Sequence, residues 1–188
     1  MNDWRRETFR YTAYFCEENI WWLARSLMDA GSDAAQMRVL FFANRWQTVI
    51  LRNQRAANAG QAVAWDYHVV LTTVSDSIPL VLDFDTRLAF PTPYREYFVD
   101  SFPPQSALPE HYRCWVRCIP AASYLAHFYS DRSHMIGRIA AADFPDYPII
   151  QPAAGGLAVP LDDYRDMEKT LPDDSLVQLL AAFFPEVA

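Results

Sequence analysis

The sequence predicts an α+β fold in a single domain: a helix that carries a cysteine at its start, packed on a mostly antiparallel sheet. Three observations predict it. Over 17–30 the apolar residues Ile20, Leu23, Ala24 and Leu27 recur at helical spacing, and Gly31 sits where a left-handed cap would close the helix. Short β-branched and aromatic runs follow at 39–42, 48–51, 67–74 and 79–86, the last two joined by the hairpin-length loop Ser75-Asp76-Ser77-Ile78. With 188 residues, 52% of them hydrophobic, the chain can bury a core without disulfides or a structural metal.

The remaining elements follow in order. Dense prolines after Phe90 predict a covering segment with a short helix over 94–101. A strand is expected over 114–119, a helix over 121–129, an irregular Pro-rich stretch over 137–156 and a closing amphipathic helix over 175–184. Trp21, Trp22, Phe41, Phe42, Phe183 and Phe184 read as core and groove-wall aromatics.

Composition excludes several classes of function. Sixteen basic against 23 acidic residues, a charge of −7, with no basic cluster, argue against nucleic acid and against an anionic membrane surface. The weakly polar stretch 148–161 is broken by Pro152, Gly155, Gly156 and Pro160, too short for a membrane span. The start, Met1-Asn2-Asp3-Trp4-Arg5-Arg6-Glu7, lacks the apolar core of a secretory signal, so a cytoplasmic setting is expected. Cys16, Cys114 and Cys118 are an odd count without framework spacing, which suits reducing conditions. His111, Cys114 and Cys118 lack a fourth ligand and knuckle spacing, so they are expected as buried or half-buried residues of a strand rather than a metal site.

One constellation carries chemistry. Cys16 begins the first helix, where free N–H groups and the helix dipole favour a thiolate, although Glu17 and Glu18 oppose it. Pairing Val74 with Pro79 across the hairpin sets His68 opposite Asp85 and Val70 opposite Asp83, so either carboxylate could orient the imidazole. A cysteine at a helix start, with a base and its orienter on neighbouring strands, is the papain-like arrangement of nucleophilic catalysis. The plain alternative is a buried cysteine and a solvent-facing polar edge.

Three stretches sharpen this: Tyr11-Thr12-Ala13-Tyr14-Phe15-Cys16-Glu17-Glu18-Asn19-Ile20-Trp21, Trp65-Asp66-Tyr67-His68-Val69 and Asp131-Arg132-Ser133-His134-Met135. With Asp83-Phe84-Asp85-Thr86 they strongly resemble the protein N-terminal glutamine amidohydrolases, over about 8–165, leaving a tail at 166–188 and the stretch 136–160 unmatched. The resemblance implies a monomeric, cofactor-free and metal-free enzyme with a papain- or transglutaminase-like core and a triad of Cys16, His68 and Asp83, selecting Asp83 over Asp85. Its substrates would be proteins or peptides with N-terminal glutamine, converted to N-terminal glutamate with release of ammonia. His68 would keep Cys16 as thiolate, a thioester would form on Cys16, and water activated by His68 would hydrolyse it.

Selecting a free N-terminus requires a partner for the α-ammonium group, for which Glu17, Glu18, Asp66 and Asp85 are candidates. Trp65, Ser133 and His134, from the matching stretches, are further substrate-contacting candidates, with His134 alternatively bracing structure. The same triad serves deamidases of internal glutamine, transglutaminases and peptidases; a non-catalytic peptide-binding module is the reading outside enzymes.

Overall fold

The structure is a computed structural model and describes residues 4–172 and 175–188. The residues Met1-Asn2-Asp3 of the charged opening lie outside the described residues.

In chain order the regular elements are α1 (Cys16–Asp29), β1 (Arg38–Ala43), β2 (Val49–Leu51), β3 (Val63–Trp65), β4 (Tyr67–Ser75), β5 (Ile78–Leu82), β6 (Thr92–Pro93) and α2 (Tyr94–Ser101). They continue as β7 (Trp115–Pro120), α3 (Ala121–His127), β8 (Phe128–Tyr129), β9 (Val159–Pro160), α4 (Leu161–Arg165), β10 (Leu176–Leu179) and α5 (Leu180–Phe183). The main sheet has six strands in the order β10-β7-β1-β4-β5-β6, every pair antiparallel. This is the α+β architecture the sequence predicts.

Alternation along the central strands places one core on each face of that sheet. Val39, Phe41 and Ala43 of β1 join Val69 and Leu71 of β4 beneath Ile20, Leu23 and Leu27 of α1, with Tyr124 and Tyr164 alongside. Leu40, Phe42 and Val70 face the opposite way, onto Tyr97 and Phe98 of α2 and Leu180 and Phe184. Helices therefore cover both faces, and β1 and β4 are buried strands of apolar residues for that reason.

Helix α1 starts at Cys16 with Phe15 as its N-cap and ends where the N–H groups of Gly31 (φ 90°) and Ser32 return to Met28 and Leu27 carbonyls. In the hairpin, Val74 pairs with Pro79 as expected, but Ser75 also pairs with Ile78. The connection is thus a two-residue turn, Asp76-Ser77, with φ of 50° and 66°, the signature of type I′.

Four expectations need correction. The closing amphipathic helix over 175–184 is instead strand β10 followed by the short α5, because β7 offers a free edge that satisfies the backbone of Leu176–Leu179. The helix over 121–129 stops at His127, and Phe128–Tyr129 pairs in parallel with β9. The strand over 79–86 ends at Leu82, after which the chain leaves β4 to run beside 53–55, where Arg55 N–H donates to the Asp85 carbonyl (2.7 Å). The run over 48–51 pairs only with β3, outside the main sheet. Among the cysteine-rich candidates, Cys114 is buried just before β7 and Cys118 is half-buried on it, but His111 is exposed on a 3-10 turn.

Two predictions test this account of the fold. Ser77→Gly relieves a left-handed conformation at an exposed position and is expected to raise the unfolding free energy by about 1 kcal/mol, read by chemical denaturation. Arg132 is buried against Glu18 of α1, with its Nη2 3.0 Å from Oε2. Arg132→Met strands that carboxylate in the core and is expected to cost roughly 3–5 kcal/mol, part of which Glu18→Gln in the same chain restores.

Candidate functional site

The first turn of α1 buries three consecutive polar side chains, Glu17, Glu18 and Asn19, each at most 1% exposed. Buried polar groups must find partners, and each of these reaches a different part of the chain. Asn19 clamps the approach to the helix, accepting from Thr12 N–H and donating to Thr12 O, both at 2.8 Å. Glu18 accepts from Ser130 Oγ (2.7 Å) and from Nε and Nη2 of Arg132, whose remaining donors bind the carbonyls of Pro145, Tyr147 and Pro148. Glu17 accepts from the Tyr67 hydroxyl at 2.7 Å, and its Oε1 lies 3.5 Å from His134 Nε2.

Cys16 sits at the head of this turn, half-buried. Its thiol donates to Glu17 Oε2 at 3.7 Å, and the backbone of Val69, on β4, favours the ionised sulfur. Burial and the neighbouring Glu17 charge push the thiol well above its ordinary range, with Asp85 and Asp83 adding to the shift. The opposition expected from the acidic neighbours is thus present at Glu17, and with burial it outweighs the pull of the helix start. Burial also pushes the Glu17 carboxyl up to about 7, against the Tyr67 hydroxyl that favours its ionised form.

His68, next to Val69, is 1% exposed. Its Nε2 lies 3.0 Å from Asp83 Oδ1, and the Trp65 ring stacks nearly parallel to it, 17° apart with centroids at 5.7 Å. Burial alone would lower the imidazole; the Asp83 carboxylate, then Asp85, more than offset it and raise its pKa above the ordinary value. For Asp83 burial acts upward, but His68 and the surrounding donors hold the carboxyl below its usual range.

The geometry explains why Asp83 meets the imidazole directly. Because β5 stops pairing with β4 at Leu71–Leu82, the next residue turns its carboxylate toward His68 instead of continuing the ladder. Oδ1 also accepts from Asp85 N–H (2.8 Å), and Oδ2 accepts from Tyr97 Oη (2.9 Å) and Gln54 Nε2 (3.4 Å). His68, Asp83 and Asp85 bring ligand atoms within 4.8 Å of one another. A carboxylate has about four lone-pair sites, and those of Asp83 are already taken by four donors, so the trio is a poor metal site.

The candidates from sequence therefore divide. Cys16, Glu17 and His134 gather at the first turn of α1, and His68, Asp83, Asp85 and Trp65 gather beside it, Asp83 and Asp85 near enough to act on the thiol. Glu18 lies beneath, committed to Arg132. Asp66 points elsewhere, 3.2 Å from Arg138 and lining a cavity of about 1010 Å³ with Trp46, Trp115 and Arg165 but without Cys16, His68 or Asp83. Ser133 is exposed, its N–H bound to Asp131 Oδ1. Tyr97 and Gln54 escaped sequence reasoning; only the aromatic character of the short helix at 94–101 hinted at the first. Tyr11, Tyr67 and Arg132 stood inside the quoted motifs without an assigned role.

Comparison with known proteins agrees with the motifs. The family model described as N-terminal glutamine amidase matches residues 11–181. The protein N-terminal glutamine amidohydrolase of Arabidopsis thaliana is 35% identical over 169 residues, 85% of this chain and 76% of that protein. That of Drosophila willistoni is 40% identical over 131 residues, 66% of this chain and 62% of the fly protein. That of Bos taurus is 32% identical over 169 residues, covering 87% and 80%. The four parts of the sequence that build the site all fall inside the matched span, and the chain belongs to the N-terminal glutamine amidase family.

Proposed function

We propose that this protein hydrolyses the side-chain amide of glutamine at the N-terminus of proteins and peptides, leaving N-terminal glutamate and releasing ammonia. The observation that carries the reading is the buried His68–Asp83 pair at 3.0 Å, with Asp83 near enough to the half-buried Cys16 to act on its thiol. In this reading the fold is papain- or transglutaminase-like, and the chain acts as a single-domain monomer without metal or cofactor.

Nε2 of His68 faces Asp83, so Nδ1 is the nitrogen assigned to Cys16. The environment holds the thiol neutral and makes the imidazole a stronger base, which favours proton transfer during attack over a standing ion pair. The sulfur adds to the amide carbon while its proton passes to His68. The imidazolium then protonates the departing nitrogen, the carbon–nitrogen bond breaks, and ammonia leaves a thioester on Cys16. Water, giving a proton to His68, adds to the thioester; the carbon–sulfur bond breaks, and the proton returns to sulfur with release of the new carboxyl group. Asp83 holds the ring and stabilises the imidazolium of both halves. The backbone N–H of Cys16, in the first turn of α1, is the assigned donor to the oxyanion.

Two predictions follow from these roles. Cys16→Ala is expected to abolish ammonia release from a peptide beginning with glutamine, while Cys114→Ala, at a buried residue outside the site, leaves it; equal activity in the two variants would contradict the assignment. Asp83→Asn removes the charge that raises the imidazole, so the acid limb of kcat/KM, expected above pH 6.5, should move to lower pH as kcat falls about 10²- to 10⁴-fold. The sign is fixed: His68 must be neutral to accept the proton, and losing the carboxylate makes it lose its own proton sooner. An unmoved limb would show that His68 is not the base.

A further inference from the structure

Hydrolysis confined to N-terminal glutamine needs a group that recognises the α-ammonium, and the structure separates the four carboxylates near the motifs. Glu18 is fully buried and saturated by Arg132 and Ser130. Asp66 is paired with Arg138 and borders a cavity that Cys16 does not line. Glu17 is fully buried against Tyr67, its Oε1 facing His134 Nε2 at 3.5 Å, and burial pushes its carboxyl up to about 7.

Of the four, only Asp85 stands with Asp83 at the imidazole. It is half-buried, its Oδ1 accepts from the Tyr11 hydroxyl at 2.7 Å, and among the described residues its Oδ2 accepts no hydrogen bond. Its carboxylate lies within 4.8 Å of the ligand atoms of His68 and Asp83. Two carboxylates thus share one imidazole, and burial together with the Asp83 charge raises the Asp85 carboxyl above its ordinary value. The nearby guanidinium groups act on Asp85 only through space, and among the described residues neither hydrogen-bonds it: Arg6 Nη2 donates to Thr86 O at 2.9 Å and Arg55 Nη1 to Phe84 O at 3.5 Å. An ammonium group donating to Oδ2 would hold that carboxyl in its ionised form.

The reach also fits. Four bonds separate the amide carbon of glutamine from its α-nitrogen, about 5 Å in extended form. With that carbon on Cys16 the α-nitrogen stays within about 5–7 Å of the sulfur, and Asp85 is near enough to that sulfur to act on its thiol and lies within 4.8 Å of the imidazole ligand atom. We infer that Asp85, oriented by the Tyr11 hydroxyl, receives the α-ammonium group of the substrate and restricts the enzyme to N-terminal glutamine. Acetylated or internal glutamine brings a neutral amide there and leaves a half-buried carboxylate without its cation. This inference rests on the amidohydrolase reading.

The test is steady-state ammonia release from a peptide beginning with glutamine, with its N-acetyl counterpart as competitor, for the native protein, Asp85→Asn and Tyr11→Phe. Asp85→Asn is expected to raise KM for the free peptide by about 10- to 100-fold with kcat within a few-fold, leaving the competitor's inhibition constant unchanged. Tyr11→Phe keeps the carboxylate and is expected to raise KM by only about 2- to 5-fold, which preserves the test should Asp85→Asn fail to fold. A fall in kcat at constant KM, or an unchanged ratio of free to acetylated affinity in both variants, would overturn the inference while the amidohydrolase reading stands. Native protein that releases no ammonia from either peptide would overturn both.

Discussion

Three polar side chains in a row, Glu17, Glu18 and Asn19, are buried in the first turn of α1, and much of the molecule is arranged to satisfy them. Leaving any one without partners in the core would cost several kcal/mol, about the whole margin of a small domain. Each therefore pins a separate segment: Asn19 the arm at Thr12, Glu18 the loop through Arg132 to Pro148, and Glu17 the head of β4 at Tyr67. The cysteine immediately before them is placed as a by-product of this requirement. A loop carrying irregular backbone over 131–148 becomes ordered because one guanidinium serves both the Glu18 carboxylate and three carbonyls.

The same burial sets the chemistry. A helix N-terminus stabilises a thiolate by no more than about 1–2 kcal/mol, whereas burial and an adjacent carboxylate act the other way and prevail at Cys16. In the proposed mechanism the thiol is therefore a guarded nucleophile, activated by an imidazole that Asp83 makes more basic. Asp83 is in turn fixed by four donors drawn from His68, Tyr97, Gln54 and the Asp85 backbone. Specificity and rate fall, in the proposed mechanism, to different groups on one short segment, Asp85 and Asp83.

Local signals in the sequence were sufficient where the physics is local. Helical period with a glycine cap located α1, and the Val74–Pro79 register of the hairpin was legible from loop length and alternation. What escaped was non-local. The segment 175–184 has helical periodicity, but an unpaired edge of β7 draws Leu176–Leu179 into a strand, a choice that no window of that segment contains. Hairpin register alone set His68 opposite Asp85; the end of β5 at Leu82, decided by contacts with 53–55, brings Asp83 to the imidazole instead. Tyr97 and Gln54 lie 14 and 29 residues from Asp83, and only the fold brings them to it.

The central claim is that the Cys16 sulfur carries the acyl group between the loss of ammonia and the entry of water. Mass spectrometry of protein mixed with an excess of glutamine-initiated peptide and quenched in acid within the first turnover tests it directly. The account requires an adduct equal to the peptide less one ammonia, mapped to Cys16 and discharged by hydroxylamine. Steady ammonia release with no adduct at Cys16, or with the adduct on another residue, would contradict it.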